Sequence, residues 1–174
     1  QTKGFKYILF GVKALIENFV ETGTQNSKSK FDIGPINTIV SNNFGYGRYA
    51  FLDTTDYIRQ SLEVWSELGF DFDAVATGFI ASLEQAHMLA EFCRRLSERG
   101  VPVFVDPIMG DNGELYSGMP DNMPESMKPM IDVAHVCCPN YTEACLLTGR
   151  EYRRDGVSAD EAAAIVDEIG RAHV

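Results

Sequence analysis

From about Pro35 onward the chain alternates between two rhythms: short unbroken apolar runs, and longer stretches in which apolar residues recur every three or four positions. The short runs predict strands at Ile36 to Val40, Ala74 to Phe79, Val101 to Asp106 and Ala134 to Cys138. The longer stretches begin with a helix from Asp56 to Leu68, with Ile58, Leu62, Trp65 and Leu68 on one face and Gly69 as its stop. Ser82, with Gln85 as capping-box partner, opens a helix that runs through Arg99 to Gly100 and buries Leu89, Phe92, Cys93 and Leu96. A short helix near Pro124 to Met130 follows, then a helix from Tyr141 to Thr148 stopped by Gly149, and a last one opening at Ser158 with Glu161 as its capping partner. Strands and helices in alternation imply an α/β fold, a mostly parallel sheet with helices on both faces.

The two ends break the rhythm. Ile8 to Val20 is compatible with a helix, and Glu21 to Lys30, rich in serine, threonine, lysine and asparagine, reads as a loop or linker. The six residues Ile169 to Val174 are expected to be the translation of a sequencing-library adapter, a non-native tail at 169–174 past which the gene continues.

Composition narrows the class. With 174 residues and 45% hydrophobic content the chain can bury one real core. No apolar run approaches the roughly 20 residues that span a bilayer, and the start lacks the order of a signal peptide. The expectation is a soluble, cytoplasmic protein with no membrane partner. Acids outnumber bases 25 to 15, a net charge of -10 that argues against a nucleic-acid partner, because phosphate backbones recruit lysine and arginine. Cys93, Cys137, Cys138 and Cys145 show no metal spacing and read as reduced thiols in apolar surroundings. His87 reads as a surface or boundary residue and His135 as a satisfied core histidine.

Chemistry concentrates at two predicted strand ends. One carries Asp106-Pro107-Ile108-Met109-Gly110-Asp111, followed by Asn112-Gly113-Glu114-Leu115-Tyr116; the other carries Pro139-Asn140-Tyr141-Thr142-Glu143. Open parallel sheets bind ligands beyond the carboxyl ends of their strands. Asp106, Asp111 and Glu143 with the Asn140 carboxamide would give that crevice hard oxygen donors, suited to magnesium and its phosphates. Each piece also has a structural reading. Asp-Pro is commonly a turn, Asp111-Asn112-Gly113 is ordinary turn chemistry, and Asn140 with Glu143 makes an N-cap and capping-box pair. Their joint order on successive strands favours the ligand reading.

In these motifs, with Leu147-Thr148-Gly149 behind them, the chain resembles the pyridoxal kinase family of the ribokinase-like superfamily. Supporting pieces are Ser41-Asn42, Gly45-Tyr46-Gly47, Phe51-Leu52-Asp53 and Thr77-Gly78-Phe79, and the likeness runs from about Gly34 to Gly149. The resemblance implies a Rossmann-like three-layer sandwich, with residues 34–168 a partial kinase domain and residues 1–33 an unmatched segment. It implies ATP-dependent phosphorylation of the 5'-hydroxymethyl group of pyridoxal, pyridoxine or pyridoxamine, with ATP and Mg2+ as cofactors, a monovalent cation left open, and a homodimer as the whole enzyme. Asp106, Tyr116, Asn140 and Glu143 match ATP-side positions, and Asp106, Asp111, Asn140 and Glu143 match positions that organise magnesium directly or through water. Asn43, Phe44, Tyr46 and Phe79 match the region lining the vitamin B6 pocket. A sister family that phosphorylates hydroxymethylpyrimidine shares the Asp-Pro-x-Met and Pro-Asn-x-x-Glu pieces but departs where this chain continues Gly110-Asp111-Asn112-Gly113.

The chain also departs from the family's pattern. Ser41-Asn42-Asn43-Phe44 stands where the family has a threonine that helps bind the substrate, and Gln1 to Ile33 shows no recognisable first strand. The Gly-Thr-Gly-Asp motif that supplies the family's catalytic base is expected beyond Val174, as are the adenine-pocket strands, so the fragment is expected to be inactive alone, and the alternatives to a vitamin B6 kinase are the hydroxymethylpyrimidine kinase of thiamine synthesis and a non-catalytic truncated kinase-like protein.

Overall fold

The computed structural model describes residues 6–10, 32–36, 38–41 and 50–170. In chain order these form β1 (Lys6–Phe10), β2 (Asp32–Ile36), β3 (Ile39–Ser41), β4 (Phe51–Asp53), α1 (Thr55–Glu67), β5 (Ala74–Thr77) and α2 (Leu83–Ser97). They continue as β6 (Val103–Val105), β7 (Gly110–Asp111), β8 (Glu114–Leu115), α3 (Met123–Ile131), β9 (Val136–Cys137), α4 (Tyr141–Thr148) and α5 (Ala159–Gly170). The principal sheet has the order β2-β1-β5-β6-β9, and every pairing in it is parallel. The expected α/β architecture, a parallel sheet with helices, is present.

One expectation fails at the start of the chain. Ile8 to Phe10, read as the opening of a helix, lies in β1, which sits between β2 and β5 and supplies the first strand the sequence did not reveal. A central parallel strand is covered on both faces and so reads as a continuous apolar run, which periodicity alone cannot tell from a helical segment. Residues 11–20 lie outside the described residues.

The strand expected over Ile36 to Val40 is divided. β2 ends at Ile36, and the chain leaves the sheet to form β3, which pairs with β4 in a separate antiparallel ribbon. Polar anchors at Thr38 make the break. Its hydroxyl donates to the carbonyl of Phe79 at 2.7 Å, and its own carbonyl accepts from Nε2 of the buried Gln85 at 2.9 Å. The Gln85 amide also donates to Thr55 Oγ1 and Asp53 Oδ1, and its Oε1 accepts the backbone N–H of Ala81. Ser82 caps α2 by accepting from the N–H of Gln85, but the Gln85 side chain serves this buried network instead of returning the bond to Ser82. The predicted capping box is therefore half formed.

One face of the sheet builds the core. Ile36, Val75, Val103 and Val105 are buried against Ile58 and Leu62 of α1, Leu89, Cys93 and Leu96 of α2, and Met123, Met127 and Met130 of α3. Trp65 meets the edge of Phe72 at a ring separation of 5.2 Å, and Phe72 in turn meets Phe92. Leu68, expected on the buried face of α1, is exposed because the helix ends at Glu67 and Leu68 turns away as its C-cap. On the other face, the register partners Phe104 and Val136 are 42% and 44% exposed, so the sheet is open at β6 and β9.

The edge position of β9 also decides the thiols. Cys93 and Cys145 are buried as expected, but Cys137 is half-buried and Cys138 exposed, and all of them are free. His135, expected in the core, is exposed at the same edge. It is nonetheless satisfied, since its Nδ1 accepts the N–H of Val103 at 3.1 Å while its own N–H donates to the carbonyl of Val103. No described helix is long and apolar enough to cross a membrane.

Candidate functional site

β6 and β9 are neighbours in the sheet, so the segments that follow them emerge side by side at the carboxyl edge. Asp106 directly follows β6, with its N–H donating to the carbonyl of Thr77 at 2.9 Å. Four residues on, β7 and β8 form a hairpin closed by Asn112 and Gly113, both with positive φ, the backbone twist a two-residue hairpin favours. A methyl group on Gly110 would stand 2.4 Å from the carbonyl oxygen of Glu114, so only glycine lets the hairpin strands close. The hairpin ends at Tyr116, whose N–H donates to the carbonyl of Met109 at 2.9 Å.

The other segment leads into α4, and here the capping geometry is fully realised. Asn140 Oδ1 accepts the N–H of Glu143 at 2.9 Å, and Glu143 Oε2 accepts the N–H of Asn140 at 2.8 Å. The same two side chains reach across to the β6 segment. Glu143 Oε1 accepts the N–H of Met109 at 3.1 Å, and Asn140 Nδ2 donates to the carbonyl of Gly110 at 3.0 Å. Thr142, which carried no expectation of a role, accepts the N–H of Gly113 at 3.0 Å. α4 thus holds the loop and hairpin by three side chains from its first turn and cap.

The carboxylates are not equivalent. Glu143 is 2% exposed, with each oxygen engaged by a backbone N–H. Burial raises its pKa above the ordinary 4.5, the backbone bonds from Asn140, Met109 and Gly110 oppose that rise, and the nearby charge of Asp106 adds to it. Asp106 is half-buried, and burial alone raises its pKa, with no hydrogen bond from a described residue acting to lower it. Asp111 is exposed on the hairpin, where it accepts the N–H and Nδ2 of Asn112 at 2.8 and 3.2 Å. Tyr116, 42% exposed, has its phenol pKa raised by burial and then by Asp111, Glu143 and Asp106, so one hydroxyl senses all three carboxylates. They converge on one region without forming a metal cage: among the described residues no three of His, Cys, Asp and Glu come together to enclose an ion. Magnesium is commonly held by one or two carboxylates plus waters and phosphates, so an open donor set of this kind fits it.

Of the residues expected at the vitamin side, Phe79 is half-buried just past β5, beside the place where the strand order reverses. Asn43, Phe44 and Tyr46 lie outside the described residues. An apolar hollow of about 780 Å³ lies between β9 and α5, lined by Cys137, Val157, Ala162, Val166 and Ile169. Asn140 borders it but Asp106, Asp111, Tyr116 and Glu143 do not, so it is distinct from the carboxylate region.

Residues 34–174 match the family model described as phosphomethylpyrimidine kinase. The chain belongs to this family. Among relatives of this kinase family, the pyridoxal kinase of Ovis aries is 30% identical over 147 residues, covering 80% of this chain and 46% of its own length. Pyridoxal kinase PdxY of Paraburkholderia phymatum is 28% identical over 145 residues, covering 79% of this chain and 48% of its own length. The chain spans about half the length of the curated relatives it matches. A Bacteroides thetaiotaomicron protein assigned as a phosphomethylpyrimidine kinase, solved with pyridoxal, superposes with a TM-score of 0.86 at 25% identity, over 98% of this chain and 60% of that one. The fold is also that of Leishmania donovani pyridoxal kinase, solved with ADP and pyridoxamine, at a TM-score of 0.77 and 21% identity, over 97% and 61% of the two chains. The kinship expected from the Asp106 and Pro139 motifs is borne out.

Proposed function

We propose that the chain forms the phosphate and magnesium side of a kinase that uses ATP to phosphorylate the 5'-hydroxymethyl group of vitamin B6. The observation that carries this reading is Asp106: a half-buried carboxylate that accepts no hydrogen bond from the described residues, raised in pKa by burial, at the mouth of a parallel sheet. A carboxylate in that condition is poised to regain stabilisation from a cation. Asp106 and Asp111 would hold magnesium, Tyr116 would cover the nucleotide, and Asn140 and Glu143 would act by fixing the backbone of Met109 and Gly110 beneath them. Magnesium held there would supply positive charge to offset that of the phosphate oxygens. Phe79, with Asn43, Phe44 and Tyr46, would line the vitamin pocket. The catalytic base of the whole enzyme is not among residues 1–174 in this reading, the whole enzyme is a homodimer, and it works in the cytoplasm. The pyridoxal kinases among the relatives support vitamin B6 as the substrate class, and the family model's own description makes hydroxymethylpyrimidine the rival substrate.

Titration calorimetry of the purified chain tests this. MgATP should bind through its phosphates alone and no more tightly than magnesium pyrophosphate, pyridoxal should bind more tightly than hydroxymethylpyrimidine, and no phosphorylation of either should rise above background. Asp106→Asn should weaken MgATP roughly tenfold, the scale of one lost charge-assisted contact, and leave pyridoxal affinity unchanged. Unaltered MgATP affinity in Asp106→Asn would refute the assignment, and tighter hydroxymethylpyrimidine binding would transfer the function to the rival substrate.

A further inference from the structure

The β7–β8 hairpin is held on one side by the first turn of α4. On the other it meets a residue that no motif marks. Tyr152 lies in the segment between α4 and α5, half-buried, with its ring against the hairpin's tip. A methyl group on Gly113 would stand 2.5 Å from Cδ1 and 2.9 Å from Cγ of Tyr152, so ring and backbone are in direct contact and nothing larger than glycine fits between them. The ring is itself fixed from behind. It packs on Tyr141 with centroids 5.1 Å apart, and the Tyr141 hydroxyl accepts the N–H of Arg153 at 3.3 Å. Arg153 pairs with Glu161 of α5, whose carboxyl is pulled down to about 2 by hydrogen bonds from the backbone of Ser158, from Arg153 and from the Ser158 hydroxyl. The aromatic pair thus rests on two helices and presses on the one turn that carries Asp111.

We propose that Tyr152 is a positioning residue for nucleotide binding: its ring clamps Gly113 against Thr142 and so sets where Asp111 and Tyr116 meet the phosphates. This deepens the kinase reading and rests on it. A two-stranded hairpin is marginal by itself, and with pairing limited to Gly110 with Leu115 and Asp111 with Glu114 this one takes its order from what touches it. The contact is made by ring carbons, so phenylalanine should serve as well as tyrosine, whereas alanine leaves Thr142, among the described residues, as the side chain that holds the Gly113 backbone.

The test uses the purified 174-residue chain as Tyr152→Phe and Tyr152→Ala, with amide hydrogen exchange across residues 110–116 and the affinities of MgATP and pyridoxal as readouts. Tyr152→Ala should accelerate exchange in the hairpin about tenfold, the effect of losing one partly buried aromatic contact, and leave exchange in α1 and α2 unchanged. It should weaken MgATP about fivefold to tenfold with pyridoxal affinity intact, and Tyr152→Phe should match the parent on every measure. If the parent binds MgATP and Tyr152→Ala changes neither hairpin exchange nor that affinity, the role of Tyr152 is refuted while the kinase reading stands. Equal losses for MgATP and pyridoxal would also refute it, showing general loosening of the fold. A parent chain that binds neither MgATP nor magnesium pyrophosphate, which needs no adenine pocket, overturns the phosphate-side site itself and the role of Tyr152 with it.

Discussion

Glu143 is the side chain whose removal should disturb this structure most for its size. It is 2% exposed and accepts one bond from the N–H of Met109 and another from the N–H of Asn140, joining the β6 loop to the cap of α4. Glu143→Ala strips both acceptors and leaves the two backbone donors facing protein instead of water. Each orphaned buried donor costs about 1–3 kcal/mol, so the expected loss is about 2–6 kcal/mol. A domain of this kind has about 5–15 kcal/mol in all, so the substitution consumes a large share of it. Glu143→Gln is milder. The amide keeps one acceptor oxygen, turns its NH2 toward the other backbone N–H, and relieves the burial of a charge, so the net loss should fall to about 1–3 kcal/mol. Urea unfolding followed by far-UV circular dichroism reads both values, provided the slope of the transition is unchanged. If Glu143→Ala cost less than about 1 kcal/mol, the carboxylate would not be the strut described. If Glu143→Gln were as damaging as Glu143→Ala, charge and not acceptor geometry would be what the site requires.

Two further outcomes follow from the same region. Burial raises the carboxyl pKa values of Asp106 and Glu143 above their ordinary 3.8 and 4.5, so the folded chain binds more protons than the unfolded one just above those values. Their contribution to stability is therefore full below that window and is lost as pH rises through the raised values; Asp106→Asn should remove its share of this slope from a urea-midpoint profile, and an unchanged profile would show that Asp106 does not titrate as stated. Gly110→Ala should cost about 1–3 kcal/mol by forcing its methyl group onto the Glu114 carbonyl, more than Gly156→Ala, where the space is open and only the positive φ is strained; equal midpoints in urea would contradict the close approach.

Local chemistry was legible wherever a residue's neighbours in sequence are also its partners in space. The N-cap Asn140, its partner Glu143 and the terminating Gly149 of α4 could be read directly, because a helix end needs acceptors within one turn and a left-handed residue to close it. Asn112-Gly113 announced a tight turn for the same reason, since both positions take positive φ. The alternation of strands and helices implied the parallel sheet, and two strand ends bearing Asp106 and Asn140 implied a shared crevice.

Only the tertiary structure decided which partner each polar side chain took. Gln85 looked like a return bond to Ser82 and instead satisfies Thr38, Asp53 and Thr55, groups 30 or more positions away in sequence, because a buried amide must find partners wherever the fold brings them. Glu143 looked like a metal ligand or a helix cap; its reach to Met109 makes it a splice between two strand ends, while Asp106, with no bond from a described residue, is left free for a ligand. The strand at Lys6 to Phe10 was hidden because a run destined for the middle of a sheet carries no alternation. Tyr152 gave no signal at all: one ring against one glycine has no period and no spacing, and the contact exists only because α4, α5 and the hairpin meet there.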